Sequence, residues 1–530
     1  MKISRVERSL LRCSRLESRA RSALRNASGL LLLVLLLQPQ SASAAEATPA
    51  LVAAKHPPGT AIASAHALAT EAGFEAIRAG GNAFDAAVAV SAALSVVEPI
   101  SSGLGGGGFF LLHDARNQRD VFVDARETAP IAATPEAYLD GDGELDRDLA
   151  TNGPWAAGIP GLPAGLDHIA SRYGCLPLAT SLAPAIRLAR EGFPVYARLE
   201  RGYARRREVM ERYPGTRAVF LADGDPPTEG EILRQPDLAR TLERLAEHGV
   251  DGFYRGDVAD KLRAGVAAEG GRWTAEELAG YRVREREPLR FGYHDWEIVT
   301  APPPSSGGVA VLQILAFLAH QDMPALGPRR PGHGAVQALD AAHLLGQAGR
   351  LAFADRNRYV ADPDQVQVPT AGLIAKDYAA ARRAEIDPQR AKSYGPGKPA
   401  GAPPGSRAAG EDANPLGSTT SLSVIDNAGN AVALTCTIEQ SFGSAVTAPR
   451  TGVLLNNELT DFSDPGTANE PAPGKTPRSS MSPTIVVRDG RPVLAIGGAG
   501  GVRIIEGVLL GIVNVVDFGQ ELATALDAER

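Results

Sequence analysis

Asn414-Pro415-Leu416-Gly417-Ser418-Thr419-Thr420-Ser421-Leu422-Ser423-Val424-Ile425-Asp426 alternates small polar and apolar residues in its second half, as a half-buried strand does. Asp426-Asn427-Ala428-Gly429-Asn430 is a cluster of turn formers, and Ala431 to Ile438 is a second, more apolar strand. The spacing predicts a β-hairpin. Folded symmetrically about Ala428, it pairs Ile425 with Ala431, and two-residue steps along both strands set Thr419 opposite Thr437 on one face. Two hydroxyls then meet at the hairpin's open end.

A hydroxyl is a weak nucleophile at neutral pH, and one remedy is to make it the first residue of a chain, so that its own α-amine serves as the base. Thr419 lies far inside the chain, so this use requires a cut between Ser418 and Thr419. Gly417 and Ser418 are small enough to let the backbone bend until Thr419 Oγ reaches the Ser418 carbonyl, giving an ester that water opens. A Thr-Thr pair opening a strand is also what β-propensity alone produces, and for a hairpin taken by itself that is the commoner case.

Further motifs occur in order: Leu455-Asn456-Asn457-Glu458-Leu459-Thr460-Asp461-Phe462, Ser479-Ser480-Met481-Ser482-Pro483-Thr484 and Gly497-Gly498-Ala499-Gly500-Gly501. With Gly417-Ser418-Thr419-Thr420 ahead of them, the chain resembles the γ-glutamyltransferases, which are self-cleaving N-terminal-nucleophile hydrolases. The likeness runs from near Leu51 to the last residue, and several motifs agreeing in order are more specific than any one. It implies an α+β fold, the four-layer αββα sandwich of N-terminal-nucleophile hydrolases, made as one domain from two autoprocessed subunits. The large subunit is residues 45–418 and the small one 419–530.

The resemblance implies catalytic roles for Thr419, Thr437, Gly500 and Gly501, the glycines offering backbone N–H groups to a tetrahedral oxyanion. Such donors are worth roughly 3–4 kcal/mol each to a transition state. Arg126 ends the predicted strand Asp120–Asp124, where an arginine can grip a carboxylate through two parallel hydrogen bonds, although alone it is more often a surface ion pair. The resemblance assigns Arg126, Ser479 and Ser480 to the α-carboxylate of a γ-glutamyl donor, and Glu439, Glu458 and Asp461 to its α-ammonium. Glu439 lies two residues beyond Thr437 and faces the same way if the strand continues. The family usually carries Asn there, which leaves acceptor preference open. Between Phe462 and Ser479 the segment is short and has no tyrosine, where many members carry a longer, Tyr-bearing lid, so an open site favouring hydrolysis is expected. No cofactor or metal is implied.

The implied activity is cleavage of γ-glutamyl amides such as glutathione through a γ-glutamyl ester on Thr419, with transfer to water or to an amino acid or peptide. Two other readings stand beside it. One is a glutaryl or cephalosporin acylase of the same superfamily, against which the acidic cup argues, since a glutaryl group has no ammonium. The other is an uncleaved, inactive precursor acting as a binding protein.

At 530 residues, 44% hydrophobic and 22% charged, the chain has the composition of a globular enzyme with a large core, and no low-complexity linker divides it. Lys2 and seven arginines up to Arg25 precede the uncharged run Gly29–Leu37 and then Ala42-Ser43-Ala44. That is a signal-peptide pattern over residues 1–44, its apolar run too short for a permanent span. It predicts a periplasmic or secreted protein with no membrane anchor once it is removed. Those residues carry eight basic and two acidic groups, so their loss takes the formal charge from −7 to −13, which argues against nucleic acid as a partner. Cys13 leaves with the leader; Cys175 and Cys436 are too few for a disulfide framework and are expected as free buried thiols.

Ala-rich stretches at His66–Gly73 and Gly80–Val97 predict helices, the second buried, with His66 a hydrogen-bonded structural residue. Gly103–Gly108 lacks the Lys-Ser/Thr of a P-loop and is expected to serve close backbone packing. Ser393 to Asn414 reads as a loop that gives a new N-terminus room to move. The final helical stretch Ala525–Arg530 has no stop signal, where family members continue with further strands, so a truncated sequence with one sheet edge uncovered is expected.

Overall fold

The computed structural model describes residues 59–221, 224–327, 338–405, 407–410 and 417–529. The predicted signal peptide, the extended piece Leu51–Ala54, the run Asn414–Leu416 and Arg530 lie outside them. The hairpin forms in the predicted register: Gly417–Ile425 runs antiparallel to Ala431–Gln440, with Ala431 against Ile425 and Thr437 against Thr419. Asp426 closes its turn. One carboxylate oxygen accepts from the backbone N–H groups of Ala428 and Asn430, both at 2.9 Å, and the other from Asn430 Nδ2 at 2.8 Å. The second oxygen also accepts from the N–H of Ala83 at 2.9 Å. A single side chain thereby holds both the hairpin turn and the first turn of the helix Ala83–Val97. That helix is capped by Asn82 and Asp85 in a capping box and buries every residue, as its apolar sequence on all sides requires.

Six antiparallel strands form the sheet that contains the hairpin, in the order Ala61–Ser64, Gly417–Ile425, Ala431–Gln440, Gly107–Asp114, Arg119–Ala125, Arg284–Arg286. Side chains alternate across it. Phe110, Leu112, Leu422, Val424, Leu434 and Cys436 pack toward the helices Ala67–Arg78, Ala83–Val97, Leu162–Arg172 and Leu178–Glu191. Phe109, Leu111, Phe122, Ala431 and Ala433 pack toward a second sheet, ordered Arg491–Ile496, Thr484–Arg488, Trp296–Thr300, Leu289–Tyr293. Helices Gly307–Leu318, Leu339–Tyr359 and Arg503–Val516 join the far side of that sheet. Helix, sheet, sheet and helix make the expected four-layer αββα sandwich.

The glycine run Gly103–Gly108 passes beneath the hairpin's open end, where a Cβ on Gly106 would run into the carbonyl oxygen of Thr437 and one on Gly105 into that of Leu454. Close backbone approach is its purpose. His66 caps its helix, Nδ1 accepting from the N–H of Leu68 at 3.2 Å. Cys436 is buried on the helix-facing side of the sheet, and burial pushes its thiol up to about 12. Cys175 departs from expectation, being only partly buried, because it sits on the turn before the helix Leu178–Glu191 rather than in a core strand. Residues 393–405 carry no helix or strand, as expected of that loop. Among the described residues no helix is long and apolar enough to cross a membrane.

Because Asp426 joins the hairpin to the buried helix, Asp426→Ala is expected to lower the unfolding free energy by about 1–3 kcal/mol. Asp426→Asn, which keeps one acceptor oxygen, should cost less. Urea titrations of the two variants measure the difference, and equal stability of both with the parent would show that the link is idle.

Candidate active site

Thr419 and Thr437 stand side by side on the face turned toward the second sheet. Thr437 Oγ1 donates to the carbonyl oxygen of Ser418 at 3.0 Å and accepts from the N–H of Glu439 at 2.7 Å. Thr419 Oγ1, 3.5 Å from Thr437 Oγ1, directs its own proton there. A hydroxyl has one proton and two acceptor sites. With its proton committed to the Ser418 carbonyl, Thr437 polarises the carbon adjacent to Thr419.

The strand does not continue regularly through Glu439, as the sequence expectation assumed. Between Thr437 and Gln440 the hairpin loses register, and Glu439 adopts φ 76°. The cause lies in the neighbouring loop: Gln440 N–H turns to Asn457 Oδ1 at 3.0 Å, and Asn457 N–H to the Ile438 carbonyl at 3.1 Å, replacing pairing within the hairpin. This bulge delivers the Glu439 N–H to Thr437 and still leaves the Glu439 side chain at the cavity.

The cavity is about 30 Å³ and is lined by Arg126, Thr419, Thr437, Glu439, Glu458, Asp461, Ser479, Ser480 and Gly501, along with Met481, Val502 and Ile504. It holds about two waters. No residue of the segment from 463 to 478, where a longer lid would sit, lines it. The segment after Phe462 is held together locally: Asn469 Nδ2 donates to the Asp461 carbonyl at 2.7 Å, and Lys475 Nζ to the carbonyls of Ala468 and Glu470 at 2.8 and 2.9 Å.

Asn456 fixes the acidic loop, its amide donating to the carbonyls of Gly105 and Gly158 while its oxygen accepts from the N–H of Glu458 at 3.0 Å. Carboxylate oxygens of Glu439, Glu458 and Asp461 then lie within 4.8 Å of one another, a set able to hold a cation. Arg126 supplies that charge here. Its Nη1 donates to Glu458 and its Nη2 to Asp461 at 2.5 Å. The sequence places Arg126 and these acids at opposite ends of a zwitterion; the structure pairs them with each other, since buried charges must find partners.

Burial alone would lower the Arg126 guanidinium, but Glu458, Asp461 and Glu127 outweigh it and hold it above its ordinary value. Burial pushes Glu458 up to about 7, with Arg126 opposing and Asp461 adding to the rise. Burial and the charges of Asp461 and Glu458 keep Glu439 well above the usual carboxylate range.

Ser479 Oγ accepts from the N–H of Met481 at 3.1 Å, and Ser480 Oγ from Arg356 Nη2 at 2.9 Å. Both hydroxyls keep their proton for a ligand oxygen. Gly501 reaches the cavity while Gly500, at φ 124°, is one residue farther out, and the turn they form abuts Gly417 just before the Ser418–Thr419 bond.

Two charged residues at the site carried no role in the sequence reading. Arg356 lies on the buried stripe of Leu339–Tyr359 with Leu345, Ala348, Ala352 and Tyr359, so an arginine at helical spacing among core residues was the available signal. Glu127, next to Arg126, is fully buried, and burial and Glu458 keep its carboxyl well above the usual range, with Arg126 opposing.

The elevated Glu458 carboxyl sets a pH dependence. A group that binds its proton more tightly folded than unfolded contributes stability fully below its ordinary value, 4.5 here, and loses it as pH rises through about 7. On the Thr419→Ala chain, chosen to keep residues 418 and 419 joined, Tm is expected to fall between pH 5 and 8, and Glu458→Gln to flatten that fall. A Tm that rises over this range in the parent would contradict it.

The family model described as Gamma-glutamyltranspeptidase matches residues 69–530. The chain is 41% identical over 485 residues to a glutathione hydrolase proenzyme of Pseudomonas sp. (strain A14), covering 88% of this chain and 80% of that one. It is 39% identical over 483 residues to the glutathione hydrolase proenzyme of Escherichia coli (strain K12), with the same coverage. Among solved structures, the cephalosporin acylase from Bacillus halodurans superposes with a TM-score of 0.78 at 31% identity, covering 89% of this chain and 83% of that one. The chain belongs to the gamma-glutamyltranspeptidase family.

Proposed function

We propose that this chain is a self-cleaving γ-glutamyltransferase and glutathione hydrolase, carrying a leader over residues 1–44 and maturing into chains 45–418 and 419–530, in the periplasm or outside the cell. The observation that supports this most is the pair of hydroxyls at the Ser418–Thr419 bond, one polarising the Ser418 carbonyl and the other beside it. In maturation, Thr419 Oγ attacks the Ser418 carbonyl carbon. Charge developing on the carbonyl oxygen meets the Thr437 hydroxyl already bonded to it. The Ser418–Thr419 C–N bond then breaks, the released amine takes the hydroxyl's proton, and an ester links Ser418 to Thr419 Oγ. Water hydrolyses that ester, leaving a carboxylate on Ser418 and an amine and free hydroxyl on Thr419.

The freed α-amine can now accept the Thr419 proton as Oγ attacks a γ-glutamyl carbonyl. The leaving amine takes that proton, and a γ-glutamyl ester forms on Thr419. Water or an acceptor amine then cleaves the ester and restores the hydroxyl. The donor's α-ammonium would take the place Arg126 now holds among Glu439, Glu458 and Asp461. Its α-carboxylate would take Arg126, Ser479 and Ser480. Exchange of the Arg126 pairs with Glu458 and Asp461 for pairs with the ligand's two charged groups keeps every buried charge partnered.

Likeness to a cephalosporin acylase keeps a second reading in view, glutaryl amide hydrolysis. The three-carboxylate cup favours the first reading, because a glutaryl group lacks the ammonium that the cup would hold.

Purified protein is expected to separate on a denaturing gel into chains starting near residue 45 and at Thr419, the smaller beginning Thr-Thr-Ser-Leu on N-terminal sequencing. Thr419→Ala should stay uncut, and a variant still cut there would remove Thr419 as nucleophile. With γ-glutamyl and glutaryl anilides compared, kcat/KM is expected to favour the former by about ten- to a hundredfold, the worth of one charged hydrogen-bonded contact. A preference for glutaryl anilide would select the acylase reading.

A further inference from the structure

Ser418 and Thr420 lie on either side of the nucleophile Thr419, and since alternate residues of a strand share a face, both point away from the Thr419 side chain and toward the helical layer. They enter a buried polar cluster there. Ser418 Oγ donates to the carbonyl of Ile100 and lies 3.3 Å from Ser101 Oγ. Arg198 Nη2 donates to that same Ser101 oxygen at 3.2 Å, and Arg198 Nη1 to Glu98 Oε1 at 3.1 Å. Glu98 is buried at the end of the helix Ala83–Val97. The buried hydroxyl of Thr420 faces its carboxyl, and among the described residues neither Thr420 Oγ1 nor Glu98 Oε2 has a hydrogen-bond partner within ordinary distance.

We propose that Arg198, Ser101 and Glu98 form a clamp that positions the Ser418–Thr419 peptide for self-cleavage, acting on the precursor and not on the mature enzyme's turnover. This rests on the self-cleavage reading above. Arg198 is the brace, because it bonds both to Ser101, which lies against Ser418, and to Glu98, whose carboxyl faces Thr420. Holding Ser418 by its hydroxyl, with Glu98 set against Thr420 two residues on, restricts the rotation of the Ser418–Thr419 peptide. With that rotation set, the Ser418 carbonyl points at Thr437 and Thr419 Oγ stays beside Thr437, on the face turned away from the clamp. Burying a carboxylate and three hydroxyls beside a strand is costly for a merely structural purpose that apolar residues would serve. After the cut, Ser418 becomes a chain end and its half of the clamp has nothing left to hold. The arginine side chain is 47% exposed, so its replacement need not disturb the core.

The test measures precursor disappearance in purified wild type, Arg198→Met, Arg198→Lys, Ser418→Ala and the Arg198→Met/Ser418→Ala double variant. Each is also assayed for γ-glutamyl anilide turnover per mole of cleaved small chain. Arg198→Met is expected to slow self-cleavage by about ten- to a hundredfold. Arg198→Lys should recover part of the rate, and Ser418→Ala should slow cleavage with an effect that does not add to that of Arg198→Met. Turnover per cleaved chain should match wild type. A wild-type rate of cleavage in Arg198→Met, full additivity in the double variant, or a parallel loss of turnover would overturn the clamp. A wild-type chain that never cuts would overturn the self-cleavage reading, and the clamp with it.

Discussion

The antiparallel register of one hairpin is the constraint on which the site depends. Pairing Ala431 with Ile425 leaves no freedom farther along the two strands: Thr437 must lie opposite Thr419, and Cys436 and Thr420 must turn to the other face. A one-residue slip would bury the two hydroxyls among helices and present Cys436 to the cavity. Asp426 protects against such a slip by tying the turn to the helix Ala83–Val97. The glycine run Gly103–Gly108 protects the other end, where any side chain on Gly106 would push the Thr437 backbone out of line.

Electrostatics supply the second constraint. Glu127, Glu439 and Glu458 crowd a single arginine in a space almost closed to water, with Asp461 at its edge. That many carboxylates cannot all stay ionised beside one cation, so burial raises three of them and Arg126 binds the two it reaches best. The uncleaved chain is therefore self-neutralised. A zwitterionic ligand offers a matching exchange, whereas a ligand with a carboxylate alone would take Arg126 and leave the acids without a counterion.

Much of this was legible in the residues. Alternation and turn formers gave the hairpin and its register, and the apolar composition of Ala83–Val97 on all sides gave its burial. The bulge at Glu439 was not legible, because its cause is Asn457, whose amide takes the N–H of Gln440 from a loop distant in sequence. The Arg126 pairing with Glu458 and Asp461 was hidden for a related reason: sequence motifs matched to a ligand say where groups converge, not how they pair with one another. Residues 98, 101 and 198 were missed because their meaning arises only when the helical layer is laid against the strand.

A single hydroxyl, that of Thr419, is held to perform both the internal cut and the later acyl transfer. The most direct check is to quench the mature protein during turnover of a γ-glutamyl anilide at low pH and measure the intact mass of each chain, then map the peptides. The expected result is a small chain heavier by one γ-glutamyl group, with the added mass on Thr419 and lost on brief exposure to hydroxylamine. An active enzyme whose adduct maps to any other residue, or to the large chain, would contradict it.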